Sequence, residues 1–366
     1  MFYIKVYTKD HIILDEIHEI ADINYMHTLN GVGKMTFSIP LLCSKFTSTN
    51  FTQFNHIELY EDDIIKWFGV ITNVNFNNPS VQVACLGYLH LIEKIRLNED
   101  EYYNKRYGDL VMQLLNSVRY KTSIKEGKVI QDDIKTDRII KNNDMLYDKI
   151  SALCEEMNYY FDIDKDLNLN FYNKKGTDKS YLVLQQTEEY SNILKTPTIS
   201  TSSDNLVNCV YAETTFTEEV YSNVPYYNYR YFTEGTVVVA ENVEVTLKSE
   251  KRNNESIEKY GLNEGVLSVN DIRLQETLDK YLEAELEKYA FPALNIMIEA
   301  IDSALCPFNL VEVGDWITVH LEPYFDLRQK VRLIEIERNC TTDTYKVTVG
   351  NVLYRENKVK TKVYTA

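Results

Sequence analysis

Two stretches of the sequence, residues 34–87 and 293–350, carry the same series of alternating apolar residues, and each series ends on a glycine. Alternation with a period of two is typical of β-strands that bury one face. The second series follows the first by about 260 residues and differs mainly in the lengths of its turns, which indicates a duplicated antiparallel β-domain with other material between the copies. Chance similarity between two ordinary β-meanders is the alternative. The alternating residues are Met35, Phe37, Ile39, Ile57, Leu59, Val70, Ile71, Val81, Val83 and Cys85 in the first stretch, and Leu294, Ile296, Ile298, Ile317, Val319, Val331, Leu333, Ile334, Tyr345, Val347 and Val349 in the second.

The length and the apolar segments limit the kind of protein that the chain can form. A chain of 366 residues has room for two to four domains with their own cores. Its apolar runs are short and interrupted by charge, and its N-terminus lacks the long apolar core of a secretory signal. The six cysteines show no CxxC spacing and lie mostly in apolar patterns. We therefore predict a soluble protein made in the cytoplasm, with no membrane span and with reduced cysteines in its core.

The charge of the chain is strongly acidic, with 39 Lys and Arg against 55 Asp and Glu and a formal net charge of −16. Binding to DNA or RNA by electrostatics requires a basic stripe, so the composition argues against that class of protein. One interpretation of the acidity is solubility. The other, which applies only if the protein forms a ring, is a lumen wall that repels nucleic acid passing through it.

Tyrosine is unusually frequent, with 28 residues, and residues 221–232 (YSNVPYYNYRYF) are the densest segment. Tyrosine has high strand propensity and an amphipathic ring, which suits sheet faces and protein interfaces. The segment is therefore either an exposed interface loop or an aromatic-rich hairpin. We expect it to contact a neighbouring subunit or another component of an assembly.

Helical periodicity appears in three places. Leu110, Leu114 and Val118 lie on one face of a helix that opens at Gly108, and a second apolar stripe follows the candidate N-cap residues 142–144. A third helix is predicted over residues 271–290, where leucines recur every four residues, with Ser268 or Asn270 as the candidate cap and Pro292 after its end.

The acidic turn at residues 162–168 is the one candidate for a metal site. Asp162, Asp164, Asp166 and Asn168 alternate like the first ligands of a calcium loop. The sixth position of such a loop is Leu167 instead of Gly, and the twelfth position is not a glutamate. A polar hairpin turn explains the pattern better, so no metal site is predicted.

Catalytic patterns are also missing from the sequence. The six histidines include no HExxH motif, and there is no GxSxG, phosphate loop or GxGxxG. Adjacent glutamates such as Glu155 and Glu156 point to different faces of an element, so they are interpreted as solvated charge. We predict no catalytic residue, no cofactor and no enzymatic activity, although carboxylates from distant strands could still meet in a glycosidase.

Six segments, taken in order, carry a resemblance to a known family. They are WFGVITNVNF, VQVACLGYLHLI, DNLVNCVYAE, SIEKYGLNEGVLSVNDIRLQETLDKYLEAELEKYA, VEVGDWITVHL and KVRLIEIERNCTTDTYKVTVGN. With an α/β insert between them they cover most of the chain. In this order the sequence resembles the phage tail hub proteins, which include the baseplate hub and the N-terminal hub part of the tail-associated protein, with contractile-tail and type VI secretion spike hubs as relatives.

The resemblance implies a structural protein of the virion at the tail tip or baseplate, assembled in the cytoplasm of the bacterial host. Hub proteins are homotrimers in which each chain supplies two similar barrels, and this would explain the duplication. The implied partners are the distal tail protein or tail tube ring, the tape measure protein, and receptor-binding or tail fibre proteins, with DNA only as passing cargo. Any lytic or adhesive domain is expected on another polypeptide.

The predicted fold class is mainly β with an α+β insert: two similar β-barrel domains, a small α/β domain and a short helical insertion. We expect the first barrel at residues 1–98, with residues 177–200 as a candidate segment to complete it. The α/β insert is expected at residues 99–176, and the second barrel, which includes the helix near 271–290, at residues 201–366.

Two alternative functions remain at this point. A cell-wall carbohydrate-binding or carbohydrate-cleaving β-protein would use residues 221–232 as a cleft wall, but Trp67 and Trp316 are the only tryptophans in the chain. The hub of a bacteriocin or contractile injection system would share the fold of the phage hub.

Overall fold

The computed structural model describes residues 1–43, 49–130, 132–228, 233–269, 272–322 and 327–350. Within these ranges the chain is mainly β-sheet, as predicted. Its N-terminal part, residues 1–87, is called here the first β-unit, and its strands pair in the order β2-β1-β5-β6-β7-β4-β3. These strands are β1 (Phe2–Tyr7), β2 (Ile13–Ile17), β3 (Ala21–Thr28), β4 (Lys34–Pro40), β5 (His56–Glu61), β6 (Ile64–Asn77) and β7 (Ser80–Leu86).

An α/β insert follows the first β-unit. Its helices cover a two-stranded sheet of β10 and β8 and a three-stranded sheet in the order β11-β12-β9. Apolar side chains from both helical stripes predicted from the sequence are buried in its core. The elements are α1 (His90–Glu93), β8 (Asp100–Arg106), α2 (Tyr107–Ser117), a 3₁₀ helix (Arg119–Lys121), β9 (Lys125–Val129), β10 (Lys135–Ile140), α3 (Leu146–Met157), β11 (Tyr160–Ile163) and β12 (Asn168–Tyr172).

The predicted N-cap at residues 142–144 is wrong. Helix α3 begins after Met145, which makes no side-chain cap. The Asp144 carboxylate instead accepts a hydrogen bond from the Lys141 backbone N–H and forms an ion pair with Lys149, both at 2.9 Å. One carboxylate oxygen of Asp144 therefore binds both the turn that precedes the helix and the Lys149 side chain of its first turn.

The next part of the chain contributes two strands to the C-terminal β-structure, a separate three-stranded sheet, and a helix that packs in the core of the insert. Strands β15 and β16 form a long antiparallel hairpin, and β17 pairs with the first residues of β15. In the described ranges, no helix is both long enough and apolar enough to cross a membrane. The elements are β13 (Asp178–Gln186), β14 (Thr198–Ser202), β15 (Cys209–Asn228), β16 (Thr233–Arg252), α4 (Asn254–Tyr260), β17 (Glu264–Ser268) and α5 (Gln275–Tyr289).

Helix α5 confirms a helix in the predicted region but differs from the prediction in its start and its neighbours. It begins after Leu274, without a side-chain cap, so Ser268 does not cap it, and Asn270 lies outside the described residues. Leu278 and Leu282 are fully buried in the same core as α3 of the insert. The helix therefore belongs with the insert, whereas the sequence assigned it to the second barrel.

The C-terminal strands form a second β-unit with the order β14-β18-β21-β20-β19-β13. Residues 178–202 therefore extend the second unit through β13 and β14, and the expectation that residues 177–200 complete the first barrel is wrong. The new elements are β18 (Ala293–Ile301), a 3₁₀ helix (Phe308–Leu310), β19 (Trp316–Leu321), β20 (Leu327–Asn339) and β21 (Thr344–Gly350).

Six strands of each unit have the same order, β3-β4-β7-β6-β5-β1 in the first and β14-β18-β21-β20-β19-β13 in the second. A register shift follows Ile71 in the pairing of β6 with β7, and a matching shift follows Leu333 in the pairing of β20 with β21. The outermost pairs differ, because β1 is antiparallel to β5 whereas β13 is parallel to β19. In the part of the chain that the structure describes, neither series closes into a barrel.

The strand registers also correct the alignment of the two copies. Ile71 and Leu333 precede the matching bulges, and their partners on β7 and β21 are Cys85 and Val349. Cys85 pairs in turn with Met35, and Val349 pairs with Ile296. Met35 is therefore equivalent to Ile296, two residues beyond the Leu294 that the sequence pattern suggested.

Candidate functional site

The two β-units are joined edge to edge, and this junction is the first candidate surface for assembly. Residues 335–339 of β20 pair in antiparallel fashion with residues 28–24 of β3. On the same edge of β20, residues 327–332 pair with β19. Strand β3 thus continues along this edge beyond Trp316, the first residue of β19. The Asn24 side chain donates a hydrogen bond to Glu337 across the junction at 2.6 Å.

Each β-unit also has the counterpart of one side of this junction, and within the described ranges neither counterpart pairs with a second strand. The equivalent of residues 335–339 is residues 73–77 of β6. They pair with β7 on one edge and extend beyond His56, the first residue of β5, on the other. The equivalent of β3 is β14, which pairs with β18. Among the described residues, no strand pairs with the second edge of either segment. One chain thus carries one filled junction and the two halves of another.

The open edges expose their side chains to solvent. Asn73 and Asn75 on β6 and Thr198 and Ser200 on β14 are exposed, and Phe76 is 62% exposed. Open strand edges offer unpaired backbone N–H and C=O groups and are the usual sites of intermolecular strand pairing. The short, polar β14 and the protruding end of β6 can therefore serve as edges for another chain.

The β15–β16 hairpin is the second candidate surface. All twenty residues of each strand are paired, from Cys209 with Arg252 to Asn228 with Thr233. Among the described residues, the body holds the hairpin at its base: β17 pairs with residues 209–213, and Ser249 donates a hydrogen bond to Asp279 of α5 at 2.5 Å. From Phe216 onward the two strands form a ribbon, which we call the arm (residues 216–228 and 233–245).

The tyrosine-rich segment lies in this arm. Residues 221–228 belong to β15, so the structure favours the aromatic-rich hairpin over an irregular loop, and residues 229–232 lie outside the described residues. Tyr221 is 65% exposed and its hydroxyl donates a hydrogen bond to Glu219 at 2.8 Å. Its contact with a neighbouring subunit stays a prediction.

A cavity of about 420 Å³ lies where the first β-unit, the insert and the second β-unit meet. Trp67 and Phe161 line it, together with Asp162 and Lys175, whose carboxylate and ammonium are 2.6 Å apart. Asp162 also accepts a hydrogen bond from Asn170 at 3.0 Å. These contacts use both oxygens of Asp162 to hold the walls together.

The candidate calcium loop is a polar hairpin turn between β11 and β12, as the sequence favoured. One oxygen of Asp164 accepts hydrogen bonds from the backbone N–H groups of Asp166 and Asn168 at 3.0 and 2.9 Å. Partial burial opposes ionisation, but the hydrogen bonds from Asn168 lower the pKa of Asp164. In the described residues, no group of three metal-ligating side chains converges.

His56, Cys85 and Cys306 in the described core are poorly suited to proton transfer or nucleophilic attack. The rings of His56 and His11 lie tilted against each other with 3.9 Å between their centroids, and burial together with that neighbour lowers the pKa of His56 to about 4. Burial raises the pKa of Cys306 to about 12 and also raises that of Cys85. At neutral pH the imidazole of His56 is a weak base and these thiols remain protonated.

Comparison with known proteins links this architecture to phage tails. Residues 185–354 match the family model described as a prophage endopeptidase tail. No curated protein matches the sequence at a significant level.

Solved structures of tail proteins share the fold of nearly the whole chain. A prophage tail protein of Listeria monocytogenes EGD-e is 12% identical, with a TM-score of 0.61 over 96% of this chain and 95% of that one. A tail protein of Neisseria meningitidis MC58 is 10% identical, with a TM-score of 0.59 over 95% and 96%. The 43 kDa tail protein of prophage MuSo2 from Shewanella oneidensis is 9% identical, with a TM-score of 0.57 over 95% and 97%. The predicted resemblance to phage tail proteins is confirmed.

Proposed function

We propose that the chain is a non-enzymatic structural hub at the distal end of a phage tail. In this proposal three copies form a ring that joins the tail tube or distal tail ring to the tip and the receptor-binding apparatus. The tape measure protein and then DNA pass through its centre. The similarity to prophage tail proteins supports a role in the tail, and the paired and open strand edges support the ring.

The junction between β3 and β20 is the observation that carries this proposal. If the same contact forms between copies, residues 73–77 of one chain pair with β14 of the next. Each copy has one of each edge, so the contact is head to tail and generates a ring when the rotation closes. Three copies would place six β-units in the ring, joined by three contacts within chains and three between them.

The equivalence of the two units predicts the register of the contact between copies. Within one chain, Glu337 pairs with Met26 and Arg338 pairs with Tyr25. Tyr25 pairs with Met35, and Ile199 pairs with Ile296, which is the equivalent of Met35. Ile199 is therefore the equivalent of Tyr25. The counterparts of the two pairs are Asn75 with Ser200 and Phe76 with Ile199. Asn75 and Ser200 are both exposed in the single chain and would face each other in the ring.

The acidity of the chain agrees with a lumen through which nucleic acid passes. A net charge of −16 disfavours tight contact with phosphates, so DNA would not be retained on the wall. The family description includes an endopeptidase, but a cysteine nucleophile requires a thiolate, and the buried thiols of Cys85 and Cys306 have raised pKa values.

Cysteine cross-linking tests both the ring and its register. Successive pairs in an antiparallel ladder alternate between two geometries, and the pair with the closer side chains suits a disulfide. We would oxidise the double variants Asn75→Cys with Ser200→Cys and Phe76→Cys with Ile199→Cys at low protein concentration. At least one of them is expected to give a disulfide-linked trimer on a denaturing gel.

A control that recombines the same cysteine substitutions tests whether cross-linking depends on the strand register. Asn75→Cys with Ile199→Cys places the two thiols on opposite faces of the sheet, so this variant should stay unlinked. Native mass and negative-stain images of the parent chain are expected to show a trimer with a central hole. A monomer at every concentration, or equal linkage in the control, would overturn the proposed ring.

A further inference from the structure

One face of the arm combines apolar and acidic side chains near its base. Glu218 pairs with Val243 and Val220 pairs with Glu241, so these four residues lie together on the same face of the ribbon. The two valines are 44% and 42% exposed, and both glutamates are exposed. The two carboxylates are diagonal neighbours on adjacent strands, and the stretches 217–228 and 233–244 contain no lysine or arginine. We call these four residues the acidic face of the arm.

The acidic face lacks a compensating charge within its own chain. In the described ranges, neither Glu218 nor Glu241 forms an ion pair, and the third strand of this sheet, β17, pairs with residues 209–213, before the arm begins. Neighbouring like charges destabilise a strand pair, and a two-stranded ribbon is marginally stable in water unless another surface packs on it. The partner that suits this face therefore supplies cations together with an apolar or aromatic side chain.

The insert presents a surface of this composition. Arg119, Tyr120 and Lys121 form an exposed 3₁₀ turn, and Arg96 is exposed beside them. Lys121 donates a hydrogen bond to the Arg96 carbonyl at 2.8 Å, and its ammonium lies 5.2 Å from the centre of the Tyr120 ring. In the part of the chain that the structure describes, none of the three cations pairs with a carboxylate. We call these four residues the basic patch.

The basic patch is locally positive in a chain whose net charge is −16. Hydrogen bonds with Lys121 and Asn98 lower the pKa of the Tyr120 hydroxyl, and the charges of Lys121 and Arg96 lower it further. The Tyr120 side chain is 75% exposed. Arginine and tyrosine are enriched at protein interfaces, and opposite charges on two surfaces steer them together and fix their register. The patch therefore suits a partner that carries carboxylates beside apolar side chains.

The acidic face and the basic patch of one chain are both open, so each is free to meet its complement on a second copy. Among the described residues, no hydrogen bond or ion pair joins the arm to the basic patch of the same chain. Glu218 lies six residues along β15 from Ala212, the partner of Ser249 at the base of the arm, which is roughly 20 Å. The acidic face thus lies beyond the part of the hairpin that the body holds. Each chain carries one arm and one patch, as a head-to-tail contact requires.

We propose that the acidic face of the arm docks on the basic patch of a neighbouring copy in the ring. Glu218 and Glu241 of one copy approach Arg96 and Lys121 of the next, and the two valines of the acidic face pack against the Tyr120 ring. The docking rests on the proposed ring, and it adds a second contact between copies to the pairing of β6 with β14.

Site-specific photocrosslinking of the full chain tests the docking. Benzoylphenylalanine in place of Val220 is expected to give a covalent dimer on a denaturing gel, with the link mapped by mass spectrometry to residues 94–98 or 117–122. The same probe in place of Val238, which is 61% exposed on the opposite face of the arm, should give no link to these residues. A product with the mobility of the monomer and a link to the patch of its own chain, or a dimer linked elsewhere, would overturn the docking.

Charge reversal tests the chemistry of the contact. Arg96→Glu with Lys121→Glu places carboxylates opposite the acidic face and should lower the yield of the dimer at least tenfold. Addition of Glu218→Lys and Glu241→Lys exchanges the charges of the two surfaces, and it should restore at least half of the yield. A swap that restores nothing would show that these four side chains do not face each other.

A matched control separates the basic patch from the net charge of the insert. Lys128→Glu with Lys174→Glu changes the charge by the same amount at exposed residues outside the patch. This variant should keep the yield within twofold of the parent chain. An equal loss in both reversals would overturn the docking in favour of a general effect of charge.

The native mass of the same samples distinguishes failure of the docking from failure of the ring. All variants should remain trimers, because their substitutions leave β14 and residues 73–77 of β6 unchanged. A trimer whose arm gives no link to the patch would overturn the docking and leave the ring intact. A monomer at every concentration would overturn both.

Discussion

Arg338 of the second β-unit forms a two-pronged ion pair with Glu61 of the first, with N–O distances of 2.7 and 3.0 Å. The guanidinium also lies over the rings of Phe2 and Tyr345, 5.4 and 5.3 Å from their centroids. Arg338 belongs to the stretch of β20 that pairs with β3, so this ion pair reinforces the junction between the units. A paired, largely buried fork of this kind also fixes the orientation of the two strands.

Breaking this pair should weaken the junction between the β-units. Arg338→Ala leaves the Glu61 carboxylate without its main partner, and we expect a loss of about 2–3 kcal/mol in the free energy of unfolding, measured by urea denaturation. Arg338→Lys should recover only part of it, because an ammonium cannot reproduce the fork. A double-mutant cycle with Glu61→Ala should show coupling, whereas the same cycle on the exposed pair Lys330 and Asp178 should show none.

A second prediction concerns Gly176, at the end of the insert. A Cβ there would lie 2.1 Å from the backbone carbon of Gly314 in the second β-unit. Gly261 is the matched control, because its φ of 80° resembles the 81° of Gly176 but a Cβ there would meet open space. Gly261→Ala should cost about 1–3 kcal/mol from backbone strain alone. Gly176→Ala should cost at least about 1 kcal/mol more, because the backbone of Gly314 must also move.

Equal effects of the two glycine substitutions on the urea midpoint would contradict this close approach. The urea midpoint should respond to this contact, because Gly176 and Gly314 join two parts of the chain that have separate cores. In Gly176→Ala we also expect faster hydrogen exchange at residues 316–321, the strand that begins just after Gly314.

The assignment of α5 to the insert gives a third prediction. Leu282 is fully buried in the core that α5 shares with α3. Leu282→Ala should cost about 2–4 kcal/mol through the lost apolar contacts and the cavity that remains. Hydrogen exchange should accelerate in α3 and at the base of β16 but not in β18 and β21. The surface substitution Lys280→Ala should leave all four elements unchanged, and acceleration limited to β18 and β21 would return α5 to the second β-unit.

Much of the sheet could be predicted from the sequence because burial on one face leaves a period of two. Met35, Phe37 and Ile39 alternate and are all buried in β4. The same period explains the error of two residues in the alignment of the copies. A shift by two keeps every side chain on its face, so the pattern could not distinguish Leu294 from Ile296 as the equivalent of Met35.

The candidate surfaces were harder to predict, because their properties depend on which strands pair. Residues 73–77 follow the pattern of an ordinary strand, and only the start of β5 at His56, which pairs with Val70, and the partners of β20 reveal the open edge. The length of the arm was also not predicted, since strands exposed on both faces leave no alternation of burial to read. The prediction of an N-cap at Asp144 was wrong for a local reason, because the Lys141 backbone N–H and the Lys149 ammonium both bind one oxygen of its carboxylate.

The last prediction concerns the dependence of stability on pH. Burial, followed by the neighbouring His11, lowers the pKa of His56 from 6.5 to about 4, and burial also lowers the pKa of His11. His56 contacts the Tyr88 hydroxyl at 3.0 Å and the Lys9 carbonyl at 3.3 Å in its neutral form. Between pH 6.5 and 4 the unfolded chain binds a proton that the folded chain does not, so the free energy of unfolding falls as the pH falls through this window.

We expect the contribution of His56 to this loss to be about 1–2 kcal/mol, less than the full shift because the ring can relax toward water. Urea denaturation from pH 7.5 to 4 measures it. His56→Gln should flatten the dependence, while His18→Gln, at an exposed ring, should preserve it. A dependence that is the same in parent and His56→Gln would show that acid destabilises the protein at other groups. Because His56 lies on β5 and Tyr88 follows β7, the same protonation should loosen the contact between the first β-unit and the insert before the second β-unit responds.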